Sequence, residues 1–253
     1  MTQPNTRLVA CSLTPEYVLD VLRDNYRHQQ EYDPETEPDI ELGFSTPVAQ
    51  WRLACDLLSW QPLGRALGEC WRFEASPAEW RAVLEPARVR TLWDVCSFIA
   101  ARGTRLDVVP SRLLGACCVS GGMFLAVREL LAQAGADVAR LRPSDAIAPF
   151  VDQHYAVFLG PVAALAPGKL PTAVVHSQRE TTLQLLFVAG LITAAICDHF
   201  DQQRLGMAFL AAGFICIAIT WAVPCSHMEF PGIVTFRDLV ECLLADAAGQ
   251  KNE

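Results

Sequence analysis

The sequence has no CxxC pair, no run of basic residues, no GxxxxGK[ST] phosphate loop and no low-complexity tract. Each absence excludes something. The ten cysteines are scattered, and the only close pair is Cys117-Cys118. Adjacent residues do not readily bridge, and no histidine stands at ligand spacing, so neither a disulfide scaffold nor a metal centre is expected. The thiols read as reduced, small hydrophobes. A net charge of −8 without a basic cluster leaves no electrostatic footprint for nucleic acid. The opening MTQPNTRLVACSLTPEYVLD has no long apolar core behind a basic start. No secretory signal is read, and the first 170 or so residues are expected in the cytosol.

Apolar residues are in excess, at 52% against 19% charged, and much of the excess follows Thr181. TTLQLLFVAGLITAAIC begins there, and LGMAFLAAGFICIAITWAV runs from Leu205 to Val223; both lack charge over 17 and 19 residues. As helices they would span roughly 25 and 28 Å, near the ~30 Å hydrocarbon core, and neither has the polar face of a helix at a protein surface. Charges flank both runs, and Trp221 and Pro224 close the second. The expectation is a two-helix transmembrane hairpin, about 181–198 and 205–223, with the lipid bilayer as a partner. Lys169 and Arg179 precede it and Arg204 alone lies in its turn, which places both termini in the cytoplasm of an inner or plasma membrane protein.

The remainder reads as mainly α: cytosolic helical regions, the transmembrane hairpin, then a short C-terminal helix. Thr14-Pro15-Glu16 opens an N-terminal helix within residues 1–30, since threonine caps and proline fits the first helical position. Residues 31–44 form an acidic linker; EYDPETEPDIE carries six acids and two prolines. Residues 45–104 read as a helical bundle, with a capping box at Ser76-Pro77-Ala78-Glu79 and a similar start at Thr91-Leu92-Trp93-Asp94. Five of the six tryptophans lie between Trp51 and Trp93 and are expected to anchor its core. Residues 105–170 read as a smaller, mostly helical region with one strand at RLDVVPS, 105–111. The tail, 228–253, carries a helix from Phe236 to about Ala245. Thr235-Phe-Arg-Asp-Leu echoes Thr91-Leu-Trp-Asp-Val, an echo assigned to shared capping rather than duplication.

CCVSGG is the most suggestive polar spot. Ser120, Gly121 and Gly122 sit at a helix start, where free amides can hold an anion, although a serine cap with glycine entry explains the pattern as well. Cys117 or Cys118 with His154 and Asp152 would make a nucleophile, base and orienter. Cys117, Cys118, Ser120 and His154 are therefore the candidate catalytic residues. No cofactor is expected.

Residues 56–100 resemble an acyl carrier protein. That family has Asp-Ser-Leu at the head of a helix, then an apolar helix ending in an aromatic, a short polar helix, and a Thr-Val-x-Asp-like start of the last helix. Here the parts read Asp56-Leu57-Leu58, LGRALGECW, SPAEW and Thr91-Leu92-Trp93-Asp94. Leu57 stands where the family's phosphopantetheine serine would be, and the spacing before Thr91 is longer. The resemblance covers about a fifth of the chain and implies a small helical bundle without prosthetic-group chemistry.

With no catalytic constellation, a membrane-anchored, non-enzymatic interaction or scaffold protein is the favoured function, with a protein partner expected through the helical domain or the acidic linker. The alternatives are a membrane-proximal enzyme using Cys117, Cys118, Ser120 and His154, and a soluble helical homo-oligomer whose hairpin is a buried interface.

Overall fold

The computed structural model describes residues 8–30, 40–57, 59–113, 116–177 and 226–245. The described residues form α1 (Pro15–Gln29), α2 (Val48–Ala54), α3 (Trp60–Trp71), α4 (Pro77–Leu84), α5 (Leu92–Ala100), α6 (Val119–Gln133), α7 (Ala148–Val157) and α8 (Phe236–Leu244). The strands are short: β1 (Leu8–Ser12), β2 (Thr104–Val108), β3 (Ser111–Leu113), β4 (Ala116–Cys118), β5 (Val174–Ser177) and β6 (Ser226–Glu229). They pair as three two-stranded sheets, β1–β2, β3–β4 and β5–β6. The chain divides into two units, Met1–Val174 with Phe230–Glu253, and Val175–Glu229. Of the second unit only the paired strands β5 and β6 are described.

Caps set most helix starts. Thr14 accepts the Tyr17 amide at 3.3 Å, with Pro15 at the first helical position. Ser76 and Glu79 form a reciprocal capping box for α4, as do Thr91 and Asp94 for α5 and Thr235 and Asp238 for α8. The N-terminal core gathers Val18 and Leu22 of α1, Trp51 of α2, Leu63 and Trp71 of α3, Trp80 of α4, and Leu92, Val95 and Ile99 of α5. Trp93 is a correction: it was expected among the core tryptophans, but it lies off the buried Leu92, Val95, Cys96, Ile99 stripe of α5 and is 49% exposed.

One arrangement occurs twice. The segment Leu42–Val48 forms a hook against the entry to α5, and Leu141–Ile147 forms the same hook against the entry to α8. In the first, the Thr46 amide donates to Gly43 O at 3.0 Å and the Gly43 amide to Thr46 Oγ1 at 2.8 Å. In the second, the Asp145 amide donates to Arg142 O at 3.1 Å and the Arg142 amide to Asp145 Oδ2 at 2.8 Å. Across the first hook Leu92 N donates to Thr46 O, Trp93 N to Phe44 O and Val48 N to Arg90 O. Across the second Phe236 N donates to Asp145 O, Arg237 N to Pro143 O and Ile147 N to Val234 O. Both close on an isolated antiparallel bridge, Pro47 with Thr91 and Ala146 with Thr235.

The packing repeats as well. α5 buries Leu92, Val95, Cys96 and Ile99, and α8 buries Phe236, Leu239, Val240 and Leu243 at the same helical positions. α5 packs on α1 and α8 on α6. The buried positions Val18, Leu19, Val21, Leu22 and Tyr26 of α1 recur in order as Met123, Phe124, Ala126, Val127 and Leu131 of α6. The likeness of Thr91-Leu-Trp-Asp-Val to Thr235-Phe-Arg-Asp-Leu is therefore more than shared capping. Helix, hook and capped helix form one unit, present twice.

The transmembrane expectation is corrected. Among the described residues no helix is long and apolar enough to cross a membrane. The longest, α1 and α6, have 15 residues each, about 22 Å of rise against the ~30 Å a span requires. Residues 181–223, where the hairpin was expected, lie outside the described residues, as do 31–39 of the acidic linker. An apolar run predicts a span only if it is laid down as one uninterrupted helix, and run length with a missing polar face does not establish that. The integral-membrane class, the placement of both termini and the bilayer as partner are not carried forward.

α3 and α4 meet closely because Gly64 lies under the Trp80 ring, where a Cβ would come 2.6 Å from Trp80 Cγ. Gly64→Ala gains roughly 1 kcal/mol of helix propensity but overpacks a tryptophan only 4% exposed. A net loss of about 1–2 kcal/mol is expected, read as a lower urea midpoint; an unchanged or higher midpoint would show that the helices separate freely.

Candidate functional site

The sequence pointed to the loop before α6, and the structure rearranges its parts. β3 and β4 form a small antiparallel hairpin, with Ser111 opposite Cys118 and Arg112 opposite Cys117. α6 begins at Val119, so Cys118 rather than Ser120 is its cap, and the Cys118 Sγ accepts the Gly121 amide at 3.3 Å. Ser120 sits in the first turn, its Oγ 3.6 Å from that sulfur, and the Ser111 hydroxyl donates to Cys118 O at 3.1 Å. The two glycines are required by close approach: a Cβ on Gly121 would meet Ser111 Oγ at 2.6 Å, and one on Gly122 would meet Val109 O at 2.7 Å.

The Ser120 hydroxyl, the Gly121 amide and the Ser111 hydroxyl together hold the Cys118 thiol below its ordinary value. Cys118 is partly exposed and Cys117 exposed. Among the described residues, the remaining parts of a catalytic constellation are not assembled. His154 lies in α7 at a break in the helix, with φ −132° and ψ 33°, and it makes no hydrogen bond to either thiol. Asp152 is exposed on the same helix. No group of His, Cys, Asp and Glu among the described residues could hold a metal ion. What is assembled at Cys118 is a thiolate-stabilising cap, with no base beside it among the described residues.

A second polar cluster is one that sequence reasoning missed. Asp24 and His28 on α1 have side chains 3% and 2% exposed, with His28 Nε2 3.7 Å from Asp24 Oδ1. The Arg27 guanidinium donates to Asp24 Oδ1 at 2.6 Å and to Leu170 O. His28 packs edge-on against Phe230, their centroids 6.4 Å apart, and neither ring nitrogen has a hydrogen-bond partner. Burial pushes the imidazole below its ordinary value, against the Asp24 carboxylate, which pulls it up. The i, i+4 spacing on the buried face of α1 was the available signal.

The third feature is apolar. Leu53 (64% exposed), Val89 (71%) and Trp93 (49%) belong to the segments that the first hook brings together. α2 lies along residues 85–90: the Ala49 amide donates to Ala87 O at 2.8 Å, and Arg52 pairs with Glu85 at 3.2 Å. Trp93 meets Phe44 edge-on at 4.9 Å. A shallow groove of about 540 Å³, lined by Trp60, Ala78, Arg81, Ala82, Glu85 and Pro86, continues past Glu85.

Compared with protein families, curated proteins and solved structures, the chain matches none.

Two outcomes follow. Alkylation of Cys118 by iodoacetamide should reach half its maximal rate at a lower pH than for an ordinary thiol, and Ser120→Ala should move that midpoint up; an unmoved midpoint would remove Ser120 from the account. For His28, the folded state resists protonation more than the unfolded chain does. Its contribution is complete above the ordinary imidazole value near 6.5 and is lost as pH falls below it. The urea midpoint should therefore drop between about pH 7.5 and about pH 5 by more in the wild type than in His28→Leu; parallel drops would exclude His28 as the cause.

Proposed function

We propose that the chain is a non-enzymatic interaction or scaffold protein that engages a partner through the apolar edge of its first hook. The contrast between the two hooks supports this reading. The hydrogen bonds are the same, yet Leu53 and Trp93 beside the first hook stand where the second has Asp152 and Arg237. The backbone arrangement therefore does not need these apolar side chains, and exposed apolar surface that the fold does not need is a mark of binding.

Residues 56–100 are read, within this proposal, as an acyl-carrier-like bundle. The succession of α3, α4 and capped α5 supports that reading of fold. Leu57, packed against the core, offers no hydroxyl to carry a prosthetic group.

A thiol-dependent enzyme at Cys118 is the second reading, favoured by the lowered thiol and its partial exposure. The absence of a bond from His154 weighs against it.

Trp93→Arg combined with Leu53→Asp places in the first hook the residues its counterpart already carries. The pair should remove most co-purification of the tagged chain's partner from its native cells, while the circular dichroism spectrum and melting midpoint stay near wild type. Cys118→Ala should leave co-purification intact. Retained capture in the double variant would sink the interaction reading at this surface, and a catalytic turnover that Cys118→Ala abolishes would replace it with the enzyme.

A further inference from the structure

We infer that the partner of this surface is an acidic protein segment carrying apolar anchors; this rests on the interaction reading above. The inference comes from the charges around Leu53, Val89 and Trp93. Arg52, Arg81, Arg88 and Arg90 all lie on the segments that form this edge and its groove. The acids on those same segments, Glu79, Glu85 and Asp94, are already engaged, while Glu41 and Asp56, which flank them, are exposed. Glu85 holds Arg52 and accepts the Ala87 amide at 3.0 Å. Glu79 pairs with Arg102 at 2.7 Å and closes its own capping box. Asp94 is bound to the Thr91 amide at 2.9 Å. Arg81 and Arg88 are exposed and make no ion pair among the described residues, and the Arg90 Nε donates to the Glu85 carbonyl at 3.5 Å.

A locally basic, apolar edge thus stands out on a chain of net charge −8. A carboxylate partner gains from Arg88 and Arg90, because guanidinium pairs with carboxylate in a two-pronged geometry. Its apolar side chains cover Trp93, Leu53 and Val89. A second copy of the chain fits less well. An isologous contact would set Arg88 and Arg90 against their own counterparts. A nucleic acid would meet the arginines but brings no aliphatic side chains to cover Leu53 and Val89.

The test uses the full-length chain, immobilised, against a displayed library of random peptides, with analytical ultracentrifugation of the free chain alongside. Enriched peptides should be acidic with aromatic or aliphatic residues at helical spacing, and their binding should weaken as salt rises. Binding should fall at least about tenfold for Trp93→Arg and for Arg88→Glu with Arg90→Glu, and Trp93→Phe should restore most of it. Enrichment of neutral or basic peptides, no enrichment, or binding that ignores Trp93 would overturn the inference. So would competition by heparin that matches the acidic peptides irrespective of Trp93. Dimerisation lost in Trp93→Arg would assign the surface to a second copy instead. If native co-purification still depends on Trp93 while the selected peptides are not acidic, the interaction reading stands and only the acidic partner fails; if neither depends on Trp93, both fail.

Discussion

The fold depends on one backbone constraint: the first amides of a helix must find acceptors when the helix starts inside the molecule. Both hooks meet it in the same way. A threonine side chain and an aspartate three residues on satisfy the entry from within. A short extended segment lays its own carbonyls alongside and takes the next two amides. The hook also returns an amide of its own to the carbonyl before the threonine. These three hydrogen bonds at each hook become the contact that fixes where α5 and α8 enter. Once the entry is fixed, the amphipathic face of each helix has one direction to pack, onto α1 in the first unit and α6 in the second.

The two copies then diverge in what they enclose. Between its hook and its capped helix the first carries α2, α3 and α4, with Trp80 seated on Gly64 and Gly68. The second carries α7, the turns over Phe158–Leu165, and strands β5 and β6, which bound a separate unit of the chain. α1 serves both. Its face toward α5 is apolar, whereas Tyr17, Arg27 and His28 reach Ala164, Leu170 and Phe230. Placing Asp24 and His28 on this second face concentrates buried charge where the chain returns to close the fold. A single paired acid and base there is sensitive to protonation in a way that the apolar face is not.

What was legible in the sequence was local. Thr14, Ser76, Thr91 and Thr235 announce helix starts because a cap acts within four residues of itself. The hook was not legible, because its halves are distant. LGFSTPVAQW and LRPSDAIAPF share few identities, and the unequal spacing between hook and capped helix hides the duplication from any fixed-period comparison. Cys118 was passed over for Ser120 because a thiol is a weak acceptor and seldom caps, while β3 and β4, three residues each, are too short for alternation to show. Trp93 was placed in the core with the other tryptophans by residue type, although the stripe Leu92, Val95, Cys96 and Ile99 of α5 leaves it off the buried face.

A duplicated unit supplies its own control. Where both copies bury an apolar residue at one position, as with Leu92 and Phe236 or Val95 and Leu239, packing accounts for it. Where one copy exposes an apolar side chain and the other a charge on the same backbone, packing does not. Trp93 and Arg237 are such a pair: each donates its amide to the hook, and each side chain leaves the core. An indole held partly in water gives up some of the hydrophobic stabilisation that its burial would bring, and it adds an aggregation hazard that arginine does not. Half-buried and edge-on against Phe44, the Trp93 indole keeps part of that stabilisation, but packing alone does not account for the half it leaves in water.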